Sequence, residues 1–243
     1  MPLIETIGSG SARAFGLNSG ESELLVVYPS GVSWAYEPSG INSSATTWTA
    51  LTNNYTITIE GTSASKIKSS VGNGSTKSNT CLQLTAAGNS RFVIPASSCT
   101  SSGGWTFLNL ARYSSSSSNM GTPNGRIFDS PNQNMLCGWW EGRSGVGYLE
   151  GELSPIANDR YGKNWVLNAM KHNFYRANGT THATSGAGSY NSTAWIGQGG
   201  NAQYGQSSDS QIIAMAWWNR DLSLAEIQSV ENQWKLKYGL TTF

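Results

Sequence analysis

The sequence predicts an all-β domain closed by one C-terminal helix. Three observations carry this: many short runs of strand formers separated by turn residues, a strong hairpin signal in the second half, and a single segment with helical periodicity and both caps. The runs are LLVVYP (24–29), TITIE (56–60), RFVIP (91–95), WTFLNLAR (105–112), GRIF (125–128), MLCGWW (135–140), VGYLEG (146–151), WVLNAM (165–170), NFYRA (173–177), AWIGQ (194–198) and QIIAMAWWN (211–219). Val, Ile, Thr and aromatic residues dominate them, and such side chains suit a pleated, half-buried surface. Asn178-Gly179 follows NFYRA, and both residues tolerate the positive φ that a two-residue hairpin turn requires. The helix is LSLAEIQSVENQWKLKYG. Ser223 is its N-cap and Glu226, three residues on, completes a capping box. Leu222 and Ile227 stand where a hydrophobic staple closes. Ile227, Val230 and Trp234 share one face, and Gly239 ends the helix.

The chain has 243 residues, within the range of a single β sandwich. Residues 22–243 read as that one domain. Residues 1–21 are rich in Gly, Ser and small residues and read as a flexible leader or docking arm, with Arg13, Phe15 and Leu17 as its partner-docking residues. The opening stretch lacks the basic and apolar regions of a secretory signal. Charged residues make up 12% of the chain and the net charge is +1, without a basic run, so the clustered cations that nucleic acid demands are missing. No apolar stretch approaches the length of a membrane-spanning helix. Low charge and abundant hydroxyls fit an extracellular or virion surface.

The three cysteines, Cys81, Cys99 and Cys137, form no even-numbered disulfide framework. Cys137 sits in an apolar run and is expected buried and reduced; pairing of Cys81 with Cys99 stays open. Two histidines, His172 and His182, flank the Asn-Gly turn without a third ligand, so no metal site is expected. The four aspartates, Asp129, Asp159, Asp209 and Asp221, do not cluster, which gives calcium no carboxylate set, although backbone carbonyls leave such a site open. No cofactor is expected. The five Asn-x-Ser/Thr sequons match chance for this composition and carry no signal of glycosylation.

The segment SDSQIIAMAWWNRDLSLAEIQSVENQWKLKYGL resembles the closing segment of laminin-G-like domains of the concanavalin A-like lectin/glucanase superfamily. GRIFDSPNQNMLCGWWEGRSGVGYLEG looks like that family's central strands and NFYRANGTT like its hairpin. The resemblance, covering about residues 22–240, implies a jelly-roll sandwich of two antiparallel sheets. It does not fix a function, because that superfamily hosts lectins, hydrolases, adhesion modules and structural parts. Looser similarity links the leader to structural proteins of large viruses and to phage appendages.

Adjacent residues on a strand face opposite ways. Of Trp139 and Trp140, and of Trp217 and Trp218, at most one ring can therefore enter the core between the sheets. The second packs beneath the helix or a loop, or forms an exposed aromatic platform for a sugar. Trp139, Trp140, Glu141, Arg143 and Tyr148 are the candidate carbohydrate-binding residues, with a hairpin salt bridge the preferred reading of Glu141 and Arg143. Glu150-Gly151-Glu152 places two carboxylates on one strand face, about 7 Å apart. The superfamily's glucanases carry an additional Asp and a third acid that EGELSP lacks, so catalytic residues are not expected. The sequence thus leads to a non-catalytic, lectin-like surface protein that binds glycans, decorates a virion or cell surface as a structural attachment component, or does both, with oligomers open. A glycoside hydrolase is the alternative.

Overall fold

The computed structural model describes residues 24–94, 96–99, 104–114, 125–130, 134–154, 160–183, 196–198, 200–201 and 206–243. The leader residues Arg13, Phe15 and Leu17 lie outside these, as do Asp159, Asn191 and Trp195. Strands run in the order β1 (Val32–Tyr36), β2 (Thr47–Thr49), β3 (Thr56–Glu60), β4 (Ser65–Lys68), β5 (Thr80–Leu84), β6 (Arg91–Ile94), β7 (Thr106–Tyr113), β8 (Phe128–Asp129) and β9 (Met135–Trp140). There follow β10 (Arg143–Leu149), β11 (Val166–Lys171), β12 (Phe174–Ala177), β13 (Thr180–Ala183), β14 (Ile196–Gln198), β15 (Gly200–Asn201), β16 (Gln206–Ser207) and β17 (Ser210–Trp218), then helix α1 (Leu224–Tyr238).

The architecture is the expected all-β sandwich with one C-terminal helix. An eight-stranded antiparallel sheet has the order β13-β12-β11-β7-β17-β5-β4, and β1 also pairs with β17. One edge of β17 pairs along β7; its other edge meets β5 at residues 210–212 and β1 at residues 215–218. A five-stranded sheet, β2-β3-β6-β14-β8, and the β9–β10 hairpin form the opposing layer. Between the layers lies an aromatic core. Trp217 stacks on Trp105 at 5.1 Å between ring centroids and on Trp34 at 6.2 Å, and the contacts continue through Tyr36 and Trp48 to Phe92 of the smaller sheet.

The large sheet is covered on its outer face too. Trp218, Ala216, Ala214 and Ile213 of β17 pack with Leu108, Leu110 and Leu167 against Ile227, Val230, Trp234 and Tyr238 of α1. Burial on both faces explains why β17 reads as a nearly continuous apolar run and why β7 shows no strict alternation of apolar and polar residues. The pair Trp217–Trp218 thus divides as alternation requires, one ring between the sheets and one beneath the helix.

Helix α1 begins as its sequence dictates. Ser223 Oγ accepts from the Glu226 N–H and the Glu226 carboxylate accepts from the Ser223 N–H, while Leu222 and Ile227 are both buried in the cluster under the helix. It ends at Gly239 in the left-handed conformation, φ 63°. Asn178 and Gly179, φ 42° and 77°, form the β12–β13 turn.

Three strand expectations need correction. Of GRIF only Phe128 is in a strand, the two-residue β8, and residues 125–127 are not. LLVVYP is not a strand: Val26 and Tyr28 pack into the cluster under α1 while Leu24 and Leu25 are exposed, and the Gln233 side chain takes the place of a neighbouring strand, accepting from the Val27 N–H at 2.6 Å and donating to the Val27 carbonyl at 3.1 Å. EGE is not a strand face either. β10 ends at Leu149 and Glu150 turns the chain with φ 47°, its carboxylate accepting from the Asn134 N–H at 2.7 Å.

Candidate functional site

Strand β9 sends Met135, Cys137 and Trp139 into the core, while Leu136 and Trp140 stay out of that cluster. Trp139 is fully buried and packs against Phe128 at 5.9 Å, so it cannot serve as a sugar platform; alternation put it inside. Trp140 is partly exposed. Of the nine tryptophans among the described residues the other eight are fully buried, which leaves Trp140 alone at the surface. It opens the β9–β10 turn, where Trp140 and Arg143 are paired residues and Glu141-Gly142 make the connection at φ 47° and 80°. These values are those of a type I′ turn. The Arg143 guanidinium stands over the Trp140 ring, 5.2 Å from its centroid. A flat, partly wetted surface results, with an apolar ring, a cation and the Glu141 carboxylate within one turn. Tyr148 is partly exposed as well, but it pairs with Leu136 at the far end of the hairpin, roughly 15 Å along β10 from Arg143. It does not share one sugar-sized patch with Trp140.

Beneath the hairpin runs a buried polar chain. Tyr175 Oη donates to Asn168 Oδ1 at 2.7 Å, Asn168 Nδ2 to Asn109 Oδ1 at 3.0 Å, and Asn109 Nδ2 to Cys137 Sγ at 3.1 Å. Gly138, φ 110°, permits it: a Cβ there would stand 2.5 Å from Asn168 Nδ2. Cys137 is buried and free, as the sequence suggested, and burial pushes its thiol up to about 12 against the opposing Asn109 hydrogen bond. Cys81 and Cys99 are also unbridged; Cys81 lies under the helix and Cys99 between the sheets.

The histidines go to different neighbours. His172 meets Trp105 at 5.9 Å, and His182 lies beside Tyr161 and Tyr175, its pKa lowered by burial and by Arg160 and Arg176. Among the described residues no group of three His, Cys, Asp or Glu side chains could hold a metal ion. Asp221 accepts from the Trp105 N–H at 3.2 Å, and Asp209 from the Ala86 N–H at 2.8 Å, so both serve the fold. No helix among the described residues is long and apolar enough to cross a membrane.

Sequence reasoning missed a second constellation. Glu231 lies on the buried face of α1 and its two carboxylate oxygens accept from Arg176 Nε of β12, each at 2.9 Å. The pair forms the floor of an open cleft of about 390 Å³ between α1, the β12–β13 turn and Phe243. The one available signal was a charge on an otherwise apolar helical face, and nothing in sequence linked it to Arg176.

No protein-family model matches the chain, and no curated protein matches it. Solved structures match its fold. Domain 4 of AbnA, a GH43 extracellular arabinanase from Geobacillus stearothermophilus solved in complex with arabinotriose, aligns with a TM-score of 0.57 at 13% identity, over 82% of this chain and 98% of that one. The binding domain of Paraclostridial Mosquitocidal Protein 1 aligns with a TM-score of 0.56 at 14% identity, over 86% of this chain. The receptor-binding domain of botulinum neurotoxin C/D mosaic serotype gives 0.55 at 11% identity, over 87%. The chain spans only about half, 55%, of each of these two toxin domains. At such identities the likeness is one of fold.

Proposed function

We propose that this chain is a non-catalytic, laminin-G-like glycan-binding module that presents Trp140, Arg143 and Glu141 to a sugar, on a cell or virion surface where it also acts as an attachment component. The carrying observation is the exposure of Trp140 when the other eight described tryptophans are consumed by the core. An aromatic face suits the C–H face of a sugar ring, and a guanidinium or carboxylate beside it can bond hydroxyls. Similarity of fold to an arabinanase domain solved with arabinotriose and to two toxin binding domains supports a sugar or receptor ligand. Support for the surface setting comes from the low charge and hydroxyl-rich composition.

The rival reading, a glycoside hydrolase, would need Glu150 and Glu152 to act as a pair. Against it stands the engagement of Glu150 in holding its own turn to Asn134.

A panel of immobilised neutral and acidic glycans, arabino-oligosaccharides included, tests the proposal. Binding that falls at least about tenfold in Trp140→Ala, with folding intact, is expected. Absence of binding, or equal binding by the variant, overturns it. Hydrolysis of any panel member that Glu150→Gln or Glu152→Gln abolishes would establish the enzyme reading instead.

A further inference from the structure

We propose that the cleft between α1 and the β12–β13 turn is a second carbohydrate site, selective for a neutral polyhydroxylated ring. It rests on its own geometry, independent of Trp140. Its floor is the ion pair of Arg176 and Glu231, whose side chains are 9% and 1% exposed. Arg176 Nε is satisfied by the carboxylate, and Nη1 donates to Thr181 Oγ1 at 3.1 Å. Among the described residues Nη2 has no acceptor, although Arg176 as a residue is only 7% exposed. Nη2 keeps contact with solvent on a residue that lines an open cleft, so its two N–H groups are open to an oxygen from a ligand bound there.

Charge selects which oxygen. Glu231 cancels Arg176 at the floor, so an anionic ligand would meet the Glu231 carboxylate and a cationic one the guanidinium. Hydroxyl oxygens accept from Nη2 without bringing an uncompensated charge. The rim offers the matching groups. Gln228 and Asn232 lie four residues apart on the same side of α1, with Glu231 between them, and the Thr180 hydroxyl faces them from β13. None of these three side chains is used in a hydrogen bond among the described residues, so all remain for a ligand. By contrast Asn178 is spent on the fold, accepting from the Leu167 N–H and donating to Trp165 and Thr242.

Phe243 supplies an apolar wall. Its ring lies against Gly179, where a Cβ would come within 3.1 Å of it, and Lys235 Nζ stands 5.3 Å from its centroid. The cleft volume of about 390 Å³ lies near the lower end of small-ligand sites, roughly 300–1,000 Å³. It fits a mono- or disaccharide end better than a polymer chain.

The test is a two-dimensional NMR titration of the full chain with arabinose, galactose, lactose and, as the anionic arm, N-acetylneuraminic acid, each to about 50 mM, in the weak range expected of single sugars. A neutral sugar should shift the Gly179 backbone signal and the Gln228 and Asn232 side-chain amide signals. Gln228→Ala with Asn232→Ala, both outside the core, should weaken it roughly fivefold. Trp140→Ala should leave these shifts unchanged, which separates failure of this site from failure of the hairpin tip. No shift at the cleft with any neutral sugar, stronger binding of the anionic sugar there, or undiminished binding by the double variant overturns the proposal.

Discussion

Replacing Arg176 with Met should turn Glu231 from a partner into a liability whose cost is set by pH. In the native chain burial pushes the Glu231 carboxyl up, and the Arg176 hydrogen bonds and charge pull it back. Without the guanidinium only the upward push remains, on a side chain 1% exposed beneath α1. Removing one member of such a pair costs about 3–5 kcal/mol at neutral pH. The sign follows from proton binding. A carboxyl raised in the folded state holds its proton more tightly folded than unfolded, so stability declines as pH rises from the unfolded value, about 4.3, through the raised folded one. On acidification to about pH 4 the penalty should therefore shrink, toward the roughly 1 kcal/mol of the lost hydrogen bonds. Urea unfolding of Arg176→Met at both pH values measures this. Adding Glu231→Leu should recover most of the loss at pH 7, because apolar substitutes for buried pairs are often neutral. A cost below about 1 kcal/mol at pH 7, or an equal cost at the two pH values, would refute the reasoning.

Glu226 should behave with the opposite sign. Hydrogen bonds from Arg220 and from Ser223 hold its carboxyl down to about 2, so its contribution is present above the unfolded value and lost as pH falls through about 2. The full shift corresponds to about 3.4 kcal/mol, but the side chain is 34% exposed and solvent screening leaves about 1 kcal/mol. Glu226→Gln should be less stable than the native chain by that amount at pH 7 in urea melts, and no less stable near pH 2; a deficit independent of pH would show that the charge is not its source. Cys137 and Cys81, both pushed to about 12 by burial, should react with a thiol reagent at mild alkaline pH only as fast as the chain unfolds. Labelling of either within seconds in native buffer would contradict the burial described here.

Locally encoded elements were legible in the sequence. TITIE and MLCGWW became β3 and β9 with the expected bounds, because strand formers and flanking turn residues define them without help from distant partners. The same holds for α1, whose two caps and staple are local. LLVVYP failed for the complementary reason: the backbone N–H and carbonyl of Val27 were met by the Gln233 side chain of a helix instead of a strand edge, a pairing 206 residues away. The turn after Trp140 was legible too, although its Glu141-Gly142 connection is a weaker hairpin signal than Asn-Gly because glutamate rarely adopts positive φ. At the candidate sites, alternation showed that Trp139 and Trp140 must part, but which ring went inward depended on the register of β9. The cleft was hidden altogether, since Arg176, Glu231 and Phe243 come from three segments that only the tertiary fold brings together.

Strand β17 gives this chain a keystone that follows all the strands it joins. It borders β7 along one edge and both β5 and β1 along the other, so among the described strands β1 depends on residues 210–218 for its partner, and β7 and β5 depend on them for their second. A chain emerging from the ribosome has to carry three open strand edges until residues 210–218 are made, each able to pair with another molecule. Closing β1 onto β17 across nearly 180 residues costs roughly 4–5 kcal/mol of loop entropy before any contact rewards it. Folding should consequently be slow and should wait until residues 210–218 are made. For the same reason the β17–α1 segment is a natural complementation fragment: supplied as a separate peptide to a chain ending before residue 206, it would switch the sandwich on by strand insertion.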